Sequence, residues 1–136
     1  MRITGLNHMD SKSYFDKIDS VTELTPKDFN DLATWKLKDT ACSAVLFYAP
    51  WCPYCKSVKD DWIAFSKIAA FVNVCALNCE KHADHILKIK EEMPGLVQGY
   101  PTIIFYINGI PTEAFKGERK SENILKSAMT FCQSNT

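Results

Sequence analysis

The chain has 136 residues, 46% of them hydrophobic, and its 16 basic and 16 acidic side chains give a formal net charge of zero. This length suits one domain that buries roughly two-thirds of the surface its unfolded chain would expose. The balanced charge argues against nucleic acid or an anionic membrane as a partner, and no apolar run reaches the roughly 18 residues that span a bilayer. We therefore expect a monomeric globular domain.

The N-terminal part of the chain predicts an extension, a strand and a helix. Residues 1–16 are polar and predict a flexible or loosely docked extension, so that the domain proper covers residues 17–136. Weak alternation from Ile18 to Leu24 predicts the first strand. Thr25 then suits a helix N-cap, with Pro26 at the first helical position. The expected inner face of this helix is formed by Phe29, Leu32, Ala33 and Trp35 or Lys36.

The middle of the chain places a cysteine pair between a strand and a helix. The apolar run Ala44 to Ala49 predicts a buried strand, and Pro50 and the Cys52-Pro53-Tyr54-Cys55 motif follow it. Helical spacing of apolar residues then predicts a helix that runs to about Ala70 and buries Val58, Trp62, Phe65 and Ala69.

The C-terminal half completes an α/β pattern. We expect a strand at 71–77, a helix at 80–93, strands at 102–107 and 110–115, and a last helix capped by Ser121. Asn108-Gly109 predicts a tight hairpin between the last two strands, and Pro111 marks the final strand as a sheet edge. The order β-α-β-α-β-α-β-β-α predicts a central mixed sheet with helices on both faces.

The cysteine pair predicts redox chemistry. Cys52 lies where a strand ends and a helix begins, where free backbone N–H groups and the helix dipole stabilise an anion. A thiolate is such an anion, and it is the form of cysteine that attacks disulfides. Cys55 follows one turn later, so it can attack Cys52 in a mixed disulfide and release the reduced substrate.

Metal binding and inert packing are the alternatives for the cysteines. A zinc ribbon needs a second Cys-x-x-Cys pair, which this chain lacks. Cys75, Cys79, His82 and His85 have suggestive spacing, but they fall on a predicted strand and a helix start, where ligands rarely converge. We therefore predict neither a metal nor an organic cofactor. We expect Cys42 and Cys132 to be free thiols, with a regulatory disulfide between them as the alternative.

Three segments resemble the thioredoxin-fold oxidoreductases. The stretch from Phe47 to Lys56 is nearest to the catalytic domains of protein disulfide isomerase. Gly99-Tyr100-Pro101-Thr102 resembles the cis-proline loop of that family, and residues 115–119 resemble its Gly-x-Arg segment. Pro53-Tyr54 between the cysteines is instead the glutaredoxin pair. The resemblance covers residues 18–133 and implies the thioredoxin fold.

The resemblance also implies roles around the cysteine pair. Pro101 would be cis and lie against the pair, and the backbone of Tyr100 would bind an extended substrate. Trp51 and Tyr54 would flank the groove. The cations available to support a thiolate are Lys56 and Arg119.

One position departs from the family pattern. Thioredoxin and its relatives carry a buried acid six residues before the first active-site cysteine, and here that position is Leu46. The lysine that accompanies this acid in protein disulfide isomerase aligns with Ala76. Losing both charges is physically coherent, because one charge left buried alone is costly. Water or Arg119 would then have to serve Cys55, and we expect slower turnover.

The resemblance implies an enzyme that exchanges disulfides with protein disulfide or dithiol substrates. A flavoprotein reductase, glutathione or a thiol oxidase would recharge it. Two alternatives remain: a glutathione-coupled reductase, suggested by Pro53-Tyr54, and a binding module without turnover. Residues 1–19 show no apolar signal and residues 133–136 no retention signal, so we expect a cytoplasmic, reducing location.

Overall fold

A computed structural model describes residues 12–31 and 35–134 of the chain. Its elements in the described residues are β1 (Thr22–Glu23), β2 (Phe29–Asp31), β3 (Lys36–Leu37), β4 (Ser43–Tyr48), α1 (Pro53–Ile68), β5 (Asn73–Asn78), α2 (Ala83–Glu92), β6 (Thr102–Ile107), β7 (Ile110–Ala114) and α3 (Ser121–Ser134). Five strands form one sheet in the order β1-β5-β4-β6-β7, and β2 pairs with β3.

The central strand β4 organises the sheet. It pairs in parallel with β5 and antiparallel with β6, and all six of its residues are buried. A strand buried on both faces is expected to be a continuous apolar run, which is how this segment is composed. The strand at the cysteine motif is therefore held from both sides.

Helices cover both faces of this mixed sheet, so the thioredoxin fold predicted for the chain is confirmed. On one face α1 and α3 bury Val58, Trp62, Phe65, Ile124 and Ala128 in a core that includes the cysteine pair. On the other face α2 packs through Ile86 and Ile89, together with the β2–β3 hairpin.

The hairpin between β6 and β7 has the backbone that its sequence predicts. Asn108 and Gly109 both have positive φ, at 55° and 80°, as a type I′ turn requires. A Cβ on Gly109 would lie 2.4 Å from the carbonyl oxygen of Leu37, so this glycine also permits close approach of β3. Pro111 lies in β7, at the edge of the sheet.

The helix predicted after Thr25 is wrong over the described residues. Thr25 caps only one 3₁₀ turn, Pro26–Asp28, and Phe29 then begins a short strand. Burial of Phe29, Trp35 and Leu37 against the sheet outweighs the helix-start signal, and Trp35 has a φ of 61° that no helix allows. Leu32 and Ala33 lie outside the described residues.

The expectation of a loosely docked extension is wrong for residues 12–16, since Phe15 is only 1% exposed and belongs to the core. The aromatic pair Tyr14-Phe15 accounts for this, because both rings pack against Tyr48. Residues 1–11 lie outside the described residues.

The expectation of free thiols at Cys42 and Cys132 is also wrong. The two residues form a disulfide with an S–S distance of 2.01 Å, joining the segment before β4 to α3. Their Cα atoms are 5.8 Å apart, within the range that a disulfide bridges. Because the two cysteines are 90 residues apart in sequence, no local pattern could indicate the pairing.

We predict that this disulfide stabilises the domain by reducing the conformational entropy of the unfolded chain. Replacing both residues (Cys42→Ala/Cys132→Ala) should lower the free energy of unfolding by about 4.6 kcal/mol, the chain-entropy value for a loop of this length. Denaturation of both proteins in a Cys52→Ser/Cys55→Ser background measures the effect without interference from the motif. Reduced parent protein is the control and should match the variant. Equal stability of oxidised parent and variant would contradict the prediction.

Candidate active site

Cys52 and Cys55 lie at the junction of β4 and α1. Cys52 is the N-cap residue with extended backbone (φ −79°, ψ 122°), and Pro53 is the first residue of the helix. The backbone N–H groups of Cys55 and Lys56 donate to the Cys52 carbonyl oxygen, each at 3.1 Å. The Cys52 N–H donates to the Ala49 carbonyl oxygen at 3.0 Å. These bonds fix the turn that presents the first sulfur.

The two sulfurs differ only slightly in exposure, in the order expected for nucleophile and resolving thiol. Cys52 is 5% exposed and Cys55 is 0% exposed, and neither is in a disulfide. Around them the aromatic side chains of Trp51 (57% exposed) and Tyr54 (70% exposed) face solvent. Two further side chains of the motif, Pro53 and Lys56, are exposed as well.

A second loop lies directly against the cysteine pair. The Tyr100–Pro101 peptide bond is cis, and the Cys52 thiol donates to the Tyr100 carbonyl oxygen at 3.5 Å. Arg119 reaches the same loop, because its Nη2 donates to the Pro101 carbonyl oxygen at 3.4 Å. Residues far apart in sequence are thus brought to one sulfur.

Burial and nearby charges set the state of the second sulfur. The pKa of Cys55 is raised to about 12, mainly by burial and also by the Cys52 side chain, although the Ala49 backbone and the Arg119 charge act to lower it. At neutral pH Cys55 is therefore a neutral thiol. That state suits a resolving group, which must lose its proton only after a mixed disulfide has formed.

Leu46 and Ala76, which stand where the family pattern has an acid and a lysine, are neighbours across two adjacent strands. The two residues are register partners in β4 and β5, and both are fully buried. In the next strand Glu23 is the register partner of Ala76, so it belongs to the same row across the sheet. The acid in this row thus lies two strands away from Leu46.

Glu23 belongs to a polar network that the sequence did not reveal. The Tyr48 hydroxyl donates to Glu23 Oε2 at 2.5 Å, and the Phe15 N–H donates to the same oxygen at 3.2 Å. The Tyr14 N–H donates to the Tyr48 hydroxyl at 3.0 Å. Burial raises the pKa of Glu23 to about 7 although the two hydrogen bonds lower it. The only available signals were an acid in the first strand and two aromatics in a polar segment.

We predict a pH-dependent contribution of Glu23 to stability. Because its pKa is raised on folding, its contribution is fully present below about pH 4.5 and is lost as pH rises through about 7. The Glu23→Gln variant should therefore gain stability relative to wild type across this range, on the order of 2 kcal/mol. Denaturation of both proteins at several pH values measures the difference, with Glu113→Gln at an exposed position as control. A difference that does not change with pH, or that falls, would refute the prediction.

The remaining candidate metal ligands do not gather into a site. Cys75 and Cys79 are buried thiols, and burial raises the pKa of each to about 12. Burial lowers the pKa of His82 and His85. Within residues 12–31 and 35–134, no three His, Cys, Asp or Glu side chains are grouped as metal ligands. Nor does any helix in that part of the chain have the length and apolar character needed to cross a bilayer.

Comparison with known proteins points to one family. The profile of the thioredoxin family matches residues 20–130. Protein disulfide-isomerase A6 of Mus musculus is 34% identical over 116 residues, which are 82% of this chain and 24% of that protein. Protein disulfide-isomerase MPD1 of Saccharomyces cerevisiae is 32% identical over 102 residues, 74% of this chain and 30% of that protein. The chain thus spans about a quarter to a third of the length of these relatives.

Solved structures agree on the fold. The J-Trx1 fragment of ERdj5 superposes with a TM-score of 0.72 at 21% identity, covering 89% of this chain and 54% of that one. Human ERp44 gives a TM-score of 0.63 at 18% identity, covering 85% of this chain and 33% of that one. At such identities the likeness concerns the fold alone.

These relatives overturn the expectation of a cytoplasmic location. Protein disulfide-isomerase A6 and protein disulfide-isomerase MPD1, which match the sequence at 34% and 32% identity, are proteins of the endoplasmic reticulum lumen. The expectation rested on missing terminal signals, and their absence from the sequence carries no information on location. The Cys42–Cys132 bond is also of a type that persists in oxidising compartments.

Proposed function

We propose that this chain, which belongs to the thioredoxin family, exchanges disulfides with protein substrates through Cys52 and Cys55. The observation that carries the proposal is the position of two free thiols at the start of α1, with the Cys52 thiol bonded to the Tyr100 carbonyl oxygen of the cis-proline loop. Relatives named protein disulfide-isomerases share this region at 32–34% identity and support the same chemistry.

The proposed reaction moves two electrons from the cysteine pair to the substrate. The Cys52 thiolate attacks one sulfur of a substrate disulfide, forming a mixed disulfide while the other substrate sulfur leaves as a thiolate and takes up a proton. Cys55 then loses its proton and attacks the Cys52 sulfur. This step forms the Cys52–Cys55 disulfide and releases the second substrate thiol. Run in reverse, the same steps oxidise a substrate dithiol.

The surface around Cys52 suits an extended peptide. The Tyr100 backbone runs beside the sulfur, so a substrate segment can add to it by main-chain hydrogen bonds. The exposed rings of Trp51 and Tyr54 provide apolar contact area on the helix side of the loop. Arg119 stabilises the same loop by donating a hydrogen bond to the Pro101 carbonyl oxygen. We therefore propose unfolded or flexible protein segments as substrates.

Recharging needs a second redox partner. A thiol pool, a dithiol reductase or a thiol oxidase can return the pair to its starting state, depending on the direction of the reaction. Because the relatives are lumenal proteins, we propose that the chain works in an oxidising compartment.

We predict distinct defects for the two cysteines. In an insulin-reduction assay with a thiol reductant, Cys52→Ser should lower the rate about 100-fold or more, because it removes the attacking sulfur. Cys55→Ser should accumulate a mixed disulfide with substrate, visible on a non-reducing gel, because the resolving step is lost. Cys75→Ala, which removes a buried thiol on the opposite face of the sheet, is the matched control and should retain the wild-type rate.

Three results, from the insulin assay and from parallel assays of glutathione reduction and partner binding, would contradict the proposal. A wild-type rate for Cys52→Ser would remove Cys52 from the reaction. Full turnover of a glutathione mixed disulfide by Cys55→Ser, without activity on insulin in the wild type, would instead indicate a glutathione-coupled reductase. Retained partner binding by Cys52→Ser/Cys55→Ser, with an inactive wild type, would indicate a binding module.

A further inference from the structure

A short segment before the first strand lies against the turn that carries the cysteine pair. We call residues 13–15 the strap; they precede the region that matches the thioredoxin family, residues 20–130. The strap is anchored at both ends. Asn78 Nδ2 donates to the Ser13 hydroxyl at 3.2 Å, and Phe15 is 1% exposed and donates its N–H to Glu23.

The middle residue of the strap, Tyr14, contacts three parts of the strand–turn–helix unit. Its ring stacks on Tyr48 at the end of β4, with centroids 4.6 Å apart. Its hydroxyl donates to the Pro50 carbonyl oxygen at 2.8 Å, in the turn. The Nζ atom of Lys59, on α1, lies 5.2 Å from the ring centroid. One side chain therefore ties together the strand, the turn and the helix.

The contact to Pro50 is placed where it can influence the first sulfur. Pro50 precedes Cys52 by two residues, and the carbonyl just before it, of Ala49, accepts the Cys52 N–H at 3.0 Å. The Tyr14 hydroxyl thus binds the Pro50 carbonyl, which is adjacent in sequence to the Ala49 carbonyl that accepts the Cys52 N–H. Burial raises the pKa of Tyr14 to about 12, with smaller contributions from Cys55 and Cys52. The hydroxyl consequently remains a donor throughout the pH range of thiol exchange.

The anchor of Tyr14 is rigid. Its N–H donates to the Tyr48 hydroxyl, and that hydroxyl donates to Glu23 in β1. Tyr48 itself is fully buried. A side chain whose backbone and ring are both fixed can hold its hydroxyl in one position, which is the condition for positioning a reacting group.

We propose that Tyr14 is a positioning residue of the redox centre, which fixes the Cys52 turn through its hydroxyl bond to the Pro50 carbonyl. The inference rests on the function proposed for Cys52 and Cys55. A fixed turn keeps the two sulfurs close in the dithiol form, so that less freedom is lost when their bond forms. Without the hydroxyl, the dithiol gains freedom while the disulfide ring still restrains the oxidised form.

The test compares Tyr14→Phe with wild type in glutathione redox buffers. The variant keeps the ring contacts and loses only the hydroxyl. The equilibrium constant for forming the Cys52–Cys55 disulfide should fall about fivefold, which is a shift of about 20 mV toward a more oxidising potential. Tyr106→Phe is the matched control, because Tyr106 lies on the opposite face of the sheet with a buried hydroxyl that has no hydrogen-bond partner among the described residues. It should leave the equilibrium constant unchanged.

The outcomes separate this inference from the proposed function. A fall in the constant for Tyr14→Phe but not Tyr106→Phe supports positioning. An unchanged or raised constant overturns it, even if Tyr14→Phe unfolds at a lower denaturant concentration, since a purely structural role predicts only that loss. A wild-type cysteine pair that does not titrate at all would instead overturn the proposed function.

Discussion

The chemistry of this domain depends on the point at which β4 stops and α1 begins. Strand hydrogen bonding ends at Tyr48, and helical bonding begins with the N–H groups that donate to the Cys52 carbonyl. β4 is fully buried between two partner strands, so it is the most constrained segment of the sheet. The buried strand therefore fixes the position of the Cys52 sulfur. The contact between Cys52 and the Tyr100 carbonyl then joins this junction to the loop before β6.

The acid in the row of Leu46 and Ala76 lies in the edge strand β1. Leu46 and Ala76 belong to the same buried apolar core as Cys55, which avoids the cost of a buried charge without a partner. Glu23 lies in the same row, at the sheet edge, where the Phe15 N–H and the Tyr48 hydroxyl satisfy it. The Arg119 cation lowers the pKa of the Cys55 thiol, and the Cys52 side chain raises it. Burial outweighs the effect of the cation and leaves the Cys55 thiol weakly acidic.

Local patterns predicted the parts of the structure that depend on local chemistry. The apolar run of β4, the helix that follows the motif and the Asn108-Gly109 hairpin were all evident in the sequence, because burial and turn geometry act over a few residues. The helix expected after Thr25 failed for the opposite reason. Its capping signal was real and produced one turn, but packing of Trp35 between Phe29 and Phe47 determined the segment that followed.

The unpredicted parts of the site are all long-range. The Cys42–Cys132 bond joins residues 90 positions apart, and either cysteine alone resembles a small buried hydrophobe. Tyr14 lies 36 residues before the carbonyl that its hydroxyl binds. The motif and the Tyr100–Pro101 loop could be named from the sequence, whereas Tyr14 and the Cys42–Cys132 bond required the three-dimensional structure.

One measurement tests most directly whether the Cys52 junction is the redox centre. The chain is equilibrated in glutathione buffers from reducing to oxidising, quenched with an alkylating reagent, and its disulfides are mapped by mass spectrometry. We predict that the Cys52–Cys55 pair converts from dithiol to disulfide in one two-electron step, while Cys42–Cys132 stays bonded throughout. A Cys52–Cys55 pair that remains a dithiol in every buffer, or titration confined to Cys42–Cys132, would contradict the account.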